Sequence, residues 1–308
     1  MRRRLDGVLL LDKPTGLGSN AALQAVKQMY RAEKAGHAGT LDPLASGLLP
    51  ILFGEATKFS QLALDSDKEY VANARLGITT TTADAEGEVL ERKPVEVRES
   101  AIEPAMALLR GPIKQVPPMY SALKHAGQPL YALARQGRSV ERAARRVNIY
   151  EFQLLRFGGD NLDLRIRCSK GTYVRTLVED LGRALACGAH LASLRRVAAG
   201  DFRIADAVTF EQLQPATPAE RDHLLLPVER LLAGLPRVDL AEPLAERFAR
   251  GQQIQLERTP VGYCSVYGAQ GCLLGIGDAG PLGELRPRRL VAQAPEPTQP
   301  AEKHQKNL

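Results

Sequence analysis

The stretch that most limits how this chain can fold is "NLDLRIRCSKGTYVRTLVEDLGRAL", residues 161–185. Leu162, Leu164, Ile166 and Cys168 alternate with Asp163, Arg165 and Arg167, the period-two pattern of a strand with one face in water. "SKGT" turns the chain, and Val174, Leu177, Val178, Leu181 and Leu185 then recur at the spacing of a helix stripe. A second strand is expected over Tyr70–Leu76, and the apolar run Val8–Leu11 reads as a third, ended by "DKPTGLGS". Strands and helices mix without regular βαβ alternation. The fold class expected is therefore α+β around a largely antiparallel sheet.

After the first strand, Ser19 or Asn20 is placed to cap a helix carrying Leu23, Val26, Met29 and Tyr30, with Gly36 as its stop. The helix would then lead straight into "GHAGTLDPLASG", Gly36 to Gly47. Between Pro117 and Val147 the chain turns basic, glycine-punctuated and weakly periodic, which reads as a mobile insertion rather than core. From about Val238 a short helical piece, "PLAERFARG", precedes apolar runs broken by glycines, the pattern of a small β-barrel. The division expected is a main domain over 1–236 with an insertion at 117–147, a small module over 237–293, and a proline-rich disordered tail over 294–308.

Several classes of chemistry have no signature here. The five histidines and four cysteines show no metal-ligand spacing, and there is no GxxxxGK[ST], GxGxxG or GxSxG motif. No metal and no cofactor is expected, so an enzyme of this sequence would work with its side chains alone. The cysteines lack CxxC pairing, which fits reduced thiols. No segment reaches the roughly 18 apolar residues of a membrane helix, and the first residues lack a signal-peptide core. A soluble cytoplasmic protein is expected. The net charge of +6 makes an acidic partner such as nucleic acid plausible without deciding it.

Asp42 has two readings on the loop alone. Asp followed by Pro is a good helix cap followed by a good first helical residue, and that role is favoured in isolation. The alternative is a carboxylate held extended by Pro43 among Gly39, Thr40, Ala45 and Ser46, open to a bulky planar substrate. His37, taken singly, reads as a hydrogen-bonded loop histidine.

The whole pattern G-H-x-G-x-L-D-P-x-A-x-G, residues 36–47, resembles that of the bacterial tRNA pseudouridine synthase B family. The resemblance extends to "GVLLLDKPTGLGSN" with Lys13 and Pro14, to "LDSDKEYVANARLGITTTTADAEG" with Tyr70, to "CSKGTYVRTLVEDLG" with Arg175, and to "GAHLASLRRVAAG" with Leu194. It runs from about Gly7 to about Phe210 and more loosely beyond.

The resemblance implies a pseudouridine synthase fold with a small PUA-like RNA-binding barrel at its C-terminal end. It implies isomerisation of uridine 55 in the T loop of tRNA. The N1–C1′ bond breaks, the uracil turns, and C5 joins C1′, without cofactor or metal. It makes Asp42 the nucleophile, Arg175 the cation that keeps it ionised, and Tyr70 the ring packed on the uracil that helps remove the C5 proton. Attack at C1′, attack at C6 and assisted elimination all stay open. His37 is implied to stack within the RNA as the target base is flipped out. Tyr173 and Leu194 are implied to line the nucleotide pocket, and Lys13 to belong to the substrate site. Arg142, Arg145, Arg146, Arg195 and Arg196 are candidates for phosphate neutralisation. The partner implied is the T stem-loop of tRNA, met by a monomer with no obligate protein partner. The rivals are a synthase that depends on a guide RNA and partner proteins, and a non-enzymatic RNA-folding protein on the same fold.

Overall fold

The computed structural model describes residues 2–121 and 123–292, and the tail expected over 294–308 lies outside the described residues. The chain falls into two compact units, Met1–Val228 and Glu229–Leu308.

The first unit is built on one mixed sheet. In chain order its elements are β1 (Gly7–Lys13), α1 (Ser19–Met29), β2 (Ala35–His37), β3 (Ala45–Phe53), α2 (Ser60–Asp65) and β4 (Lys68–Leu76). A two-stranded excursion, β5 (Ile78–Thr80) and β6 (Val89–Arg92), leads to α3 (Glu99–Ala107) and β7 (Gly111–Gln115). The basic segment then forms a short hairpin, β8 (Lys124–His125) and β9 (Gln128–Pro129), with the six-residue α4 (Leu130–Arg135), whose Leu130 and Leu133 are buried. The unit continues through β10 (Arg145–Gly158), β11 (Asn161–Cys168), α5 (Val174–Ala184), β12 (Ala189–Ala199) and β13 (Phe202–Arg203), followed by the short helices α6 (Phe210–Leu213) and α7 (Pro218–His223).

The sheet order is β1-β3-β12-β4-β11-β10-β7, with β2 beside β3 and β13 beside β12. Every pairing is antiparallel except β3 with β12, so the sheet is largely antiparallel, as the alternating strands predict. The period-two face of β11 is dry throughout: Leu162, Leu164 and Ile166 are fully buried, and Cys168 nearly so. The stripe of α5 meets them with Leu177, Val178 and Leu181. Burying each such side chain stabilises the unit by about 1.5–3 kcal/mol against leaving it exposed.

The one parallel pairing is what assembles the site. It places Leu194, Arg195 and Arg196 beside Ala45, Ser46 and Gly47, residues about 150 positions earlier in the chain. Gly47 has φ +100°, and a Cβ there would lie 2.3 Å from the Arg196 carbonyl oxygen, so only glycine permits this approach.

Three local expectations change. Ser19 does not cap α1; Gly18 holds that position, and no side chain caps it. The Ser19 hydroxyl instead donates to the Leu41 carbonyl (2.8 Å) and accepts from the Leu41 amide (2.7 Å). Gly36 does not end α1 either. The helix stops at Met29, Arg31 takes a positive φ of 50°, and Gly36 sits within β2. Finally, no helix starts at Pro43. The chain makes a turn, with Ala45 N–H donating to the Asp42 carbonyl (3.1 Å), and enters β3. The capping role of Asp42 is thereby excluded.

The second unit contains β14 (Arg237–Asp239), α8 (Leu244–Ala249), β15 (Ile254–Gln255), β16 (Gly262–Tyr267), β17 (Leu273–Ala279) and β18 (Glu284–Leu290). They form a five-stranded sheet ordered β14-β16-β17-β18-β15, around a core of Phe248, Cys264, Val266, Leu274 and Leu285. Among the described residues, no helix is long and apolar enough to cross a membrane.

Candidate active site

A cavity of about 310 Å³ opens where the 38–44 loop, β4, β12 and the start of α5 converge. Its walls include Asp42, Tyr70, Tyr173, Arg175 and Leu194, five of the seven residues that the resemblance assigns to catalysis and the substrate site, and also Arg196. The other two stand close by rather than on the wall.

Arg175 lies in the first turn of α5 and is buried, with its side chain 5% exposed. Its Nη2 meets Asp42 Oδ2 at 2.9 Å, and its Nη1 meets Asp84 Oδ2 at 3.2 Å. The same two nitrogens also donate to the Tyr120 carbonyl (2.7 Å) and the Thr82 carbonyl (3.2 Å). A planar fork with this many partners is fixed in orientation. The mild dipole penalty of a cation at a helix N-terminus is small against two carboxylates.

Asp84, with a 3% exposed side chain, is the residue that sequence reasoning missed. It accepts from the Thr82 hydroxyl and the Glu86 amide (3.1 Å) as well as from Arg175, and is nearly sealed. Asp42 is different: 40% of its side chain faces the cavity. The protein around it still displaces water, which pushes its pKa above the ordinary carboxylate value. Arg175 pulls it down, Asp84 pushes it up, and Lys13 pulls it down more weakly.

Lys13 ends β1 and is fully buried, its ammonium donating to the carbonyls of Pro14 (2.8 Å) and Leu17 (2.5 Å). Burial lowers its pKa to about 8, against the pull of Asp42. It holds the turn after β1 and acts on Asp42 through its charge, and it is not a side chain on the cavity wall.

Tyr70 projects from β4 and is 9% exposed. Burial raises its pKa, while the positive charge of Arg196 opposes the rise. Arg196 itself is 1% exposed and has no carboxylate partner among the described residues. It donates from Nε to the Leu48 carbonyl (2.7 Å) and from Nη2 to the Gly39 carbonyl (3.1 Å). The sequence suggested Arg196 for phosphate neutralisation. The structure corrects this: a sealed side chain reaches no phosphate. Arg195 is paired with Asp12 (2.6 Å), and Arg142 donates to the Pro117 carbonyl (3.0 Å).

Tyr173 precedes α5, and Gln115 holds its backbone from both sides: Tyr173 N–H donates to Oε1 (3.0 Å) and Nε2 donates to the Tyr173 carbonyl (3.3 Å). The Arg145 guanidinium lies 4.8 Å from the centre of its ring. Leu194 sits on β12 opposite both Ala45 and Ala72, half-buried. His37, on β2, is half-buried; its Nδ1 is buried without a partner among the described residues, and burial together with Arg196 lowers its pKa. Among the described residues, no cluster of three or more histidine, cysteine or acidic side chains is arranged to hold a metal ion.

The cavity thus exposes one carboxylate, bridges it through a buried arginine to a sealed one, and is walled by two tyrosines. Three family models match successive parts of the chain. "TruB family pseudouridylate synthase (N terminal domain)" matches residues 27–174. "tRNA pseudouridylate synthase B C-terminal domain" matches 175–233, and "Pseudouridine synthase II TruB, C-terminal" matches 236–291. The fold is that of the pseudouridine synthases. It superposes on the archaeal box H/ACA sRNP Nop10-Cbf5 complex with a TM-score of 0.71 at 23% identity, covering 93% of this chain and 86% of that one. An H/ACA RNP bound to a substrate RNA containing 2′-deoxyuridine gives 0.70 at 23% identity.

Among individual proteins, tRNA pseudouridine synthase B of Azoarcus sp. (strain BH72) is 51% identical over 291 residues, covering 94% of this chain and 96% of that protein. The protein of the same name from Burkholderia mallei (strain NCTC 10247) is 53% identical over 297 residues, covering 94% and 98%. The chain belongs to the tRNA pseudouridine synthase B family.

Proposed function

We propose that this protein converts uridine 55 in the T loop of tRNA to pseudouridine, with Asp42 as the nucleophile. The observation that carries the reading is one cavity holding Asp42, Arg175 and Tyr70 from three distant parts of the chain. The proposal rests on family membership and on the physical demands of the reaction.

The reaction exchanges one glycosidic bond for another and needs no redox change. It needs a group that holds the fragments while the uracil turns, and a carboxylate meets that need. Asp42 is open to the cavity, and Arg175 opposes the rise in pKa that its surroundings impose. Asp84 fixes Arg175 from the far side, so the guanidinium stays in place when Asp42 is consumed by bond formation. Tyr70 packs under the flipped uracil and contributes to removal of the C5 proton; its raised pKa makes the phenolate scarce but strongly basic. Tyr173 and Leu194 bound the nucleotide, and Lys13, whose charge acts on Asp42, belongs to the substrate site. His37 takes the place of the displaced base within the RNA.

The remaining assignments extend the same reading. Residues 1–236 are the synthase domain, 117–147 clamp the T loop, and 237–293 are a PUA-like module that binds the tRNA further from the target. The enzyme acts in the cytoplasm as a monomer, without cofactor, metal or guide RNA.

The test is tritium release from an isolated T stem-loop carrying 5-tritiated uridine, in chelator, with the purified chain alone. Release at uridine 55 and none from an RNA with cytidine there is the expected result. Release only after a guide RNA and partner proteins are added would sink the reading.

A further inference from the structure

One polar group on the cavity wall has no role in the site as described. Ser121 lines the cavity with Asp42, Tyr70 and Arg175, yet it is 4% exposed and its hydroxyl has no hydrogen-bond partner among the described residues. A buried hydroxyl without a partner is unfavourable and calls for an occupant that satisfies it. Its backbone, by contrast, is tied down. Ser121 N–H donates to the Met119 carbonyl (2.9 Å), and its carbonyl accepts from Tyr131 N–H (3.1 Å). The carbonyl of the preceding residue, Tyr120, accepts from Arg175 Nη2 (2.7 Å). The same guanidinium nitrogen that meets Asp42 thus also anchors the residue beside Ser121.

Resting on the proposed function, we infer that the Ser121 hydroxyl donates to a carbonyl oxygen of the target uracil and holds the base while it turns. The chemistry of the isomerisation favours a lone donor of this kind. Turning uracil about its C6–N3 axis brings C5 to where N1 was and exchanges O2 with O4. A carbonyl therefore occupies the same place before and after the turn. A hydroxyl that serves O4 in uridine serves O2 in pseudouridine without moving, so the bond captures neither isomer preferentially. Ser121 is a gripping residue for the detached base, whereas Asp42 acts on the bond.

The experiment compares the full wild-type chain with Ser121→Ala and Ser121→Thr under single-turnover conditions. The substrates are T stem-loops carrying uridine, 2-thiouridine or 4-thiouridine at the target, since sulfur is a poor acceptor. Ser121→Ala should slow uridine conversion about three- to tenfold, the size of one neutral hydrogen bond, with RNA affinity kept within about twofold. Ser121→Thr, which keeps the hydroxyl, should stay within about threefold of wild type. Thio substitution should slow wild type but add nothing further in Ser121→Ala. Thermal stability should not fall in Ser121→Ala, because the hydroxyl removed has no partner among the described residues. Full activity in Ser121→Ala overturns the inference. So does equal damage from Ala and Thr, which would mean that space and not the hydroxyl matters. An undiminished thio effect in Ser121→Ala would assign the hydroxyl to ribose or phosphate, and would overturn it too. A wild-type chain that makes no pseudouridine sinks the parent reading and this one with it.

Discussion

Two buried arginines flank the Asp42 loop, and their surroundings are opposite. Arg175 meets two carboxylates, one sealed and one open to the cavity. Arg196, 1% exposed, meets carbonyls of Gly39 and Leu48, with no acid beside it among the described residues. A buried charge with no counter-charge is disfavoured, and burial lowers the pKa of Arg196 accordingly. In the proposed mechanism the difference separates two tasks within one site: Arg175 sets the charge on Asp42, and Arg196 holds the loop through the Gly39 and Leu48 carbonyls.

Breaking each side should give different failures. Arg175→Met should reduce pseudouridine formation about a thousandfold, the upper range for losing a fixed charged donor. It should also destabilise the fold by about 3–5 kcal/mol, because Asp84 is left buried and unpaired; single-turnover assays and urea melts measure the two losses. Tyr70→Phe should lower turnover about a hundredfold with little change in RNA affinity. The reverse pattern would make Tyr70 a binding residue. Arg196→Met should mainly cost stability, about 1–3 kcal/mol for the orphaned carbonyls, with a loss of turnover smaller than that of Arg175→Met. Equal kinetic losses from the two arginine variants would erase the distinction.

The contrast also predicts pH behaviour. With Asp42 acting as a carboxylate, as proposed, and its pKa raised, activity should fall as pH drops through a value above the ordinary 3.8. Arg175 opposes the rise, so in Arg175→Gln the acid limb of the single-turnover profile should move to higher pH. In Arg196→Gln it should move far less. The smallest and least specific effect is that of salt: tRNA affinity should weaken with ionic strength in wild type and in both arginine variants alike.

How much of this was legible in the sequence varies with the range of the interaction. The β11–α5 unit around Arg175 was readable because its cues are periodic and local, and Asp42 and Tyr70 were readable from family motifs. Asp84 was not: in "TTTTADAEG" it is one short polar residue among many, and only the return of α5 brings Arg175 onto it. Ser19 has the right residue type for a cap, yet its hydroxyl serves Leu41 across 22 positions. Arg196 looked like surface charge until the parallel pairing of β12 with β3 sealed it. The bareness of the Asp42 loop has a corresponding structural cause. Gly47 admits the β12 backbone, while Gly39, at φ +99°, has Arg196 Nη1 3.3 Å from where a Cβ would sit.

The most direct test of the account is Asp42→Ala, assayed for tritium release from 5-tritiated uridine in tRNA alongside RNA affinity. The account predicts no release above background with affinity kept within about threefold, because Asp42 contributes to the bond and not to grip on the RNA. Release at the wild-type rate would contradict it.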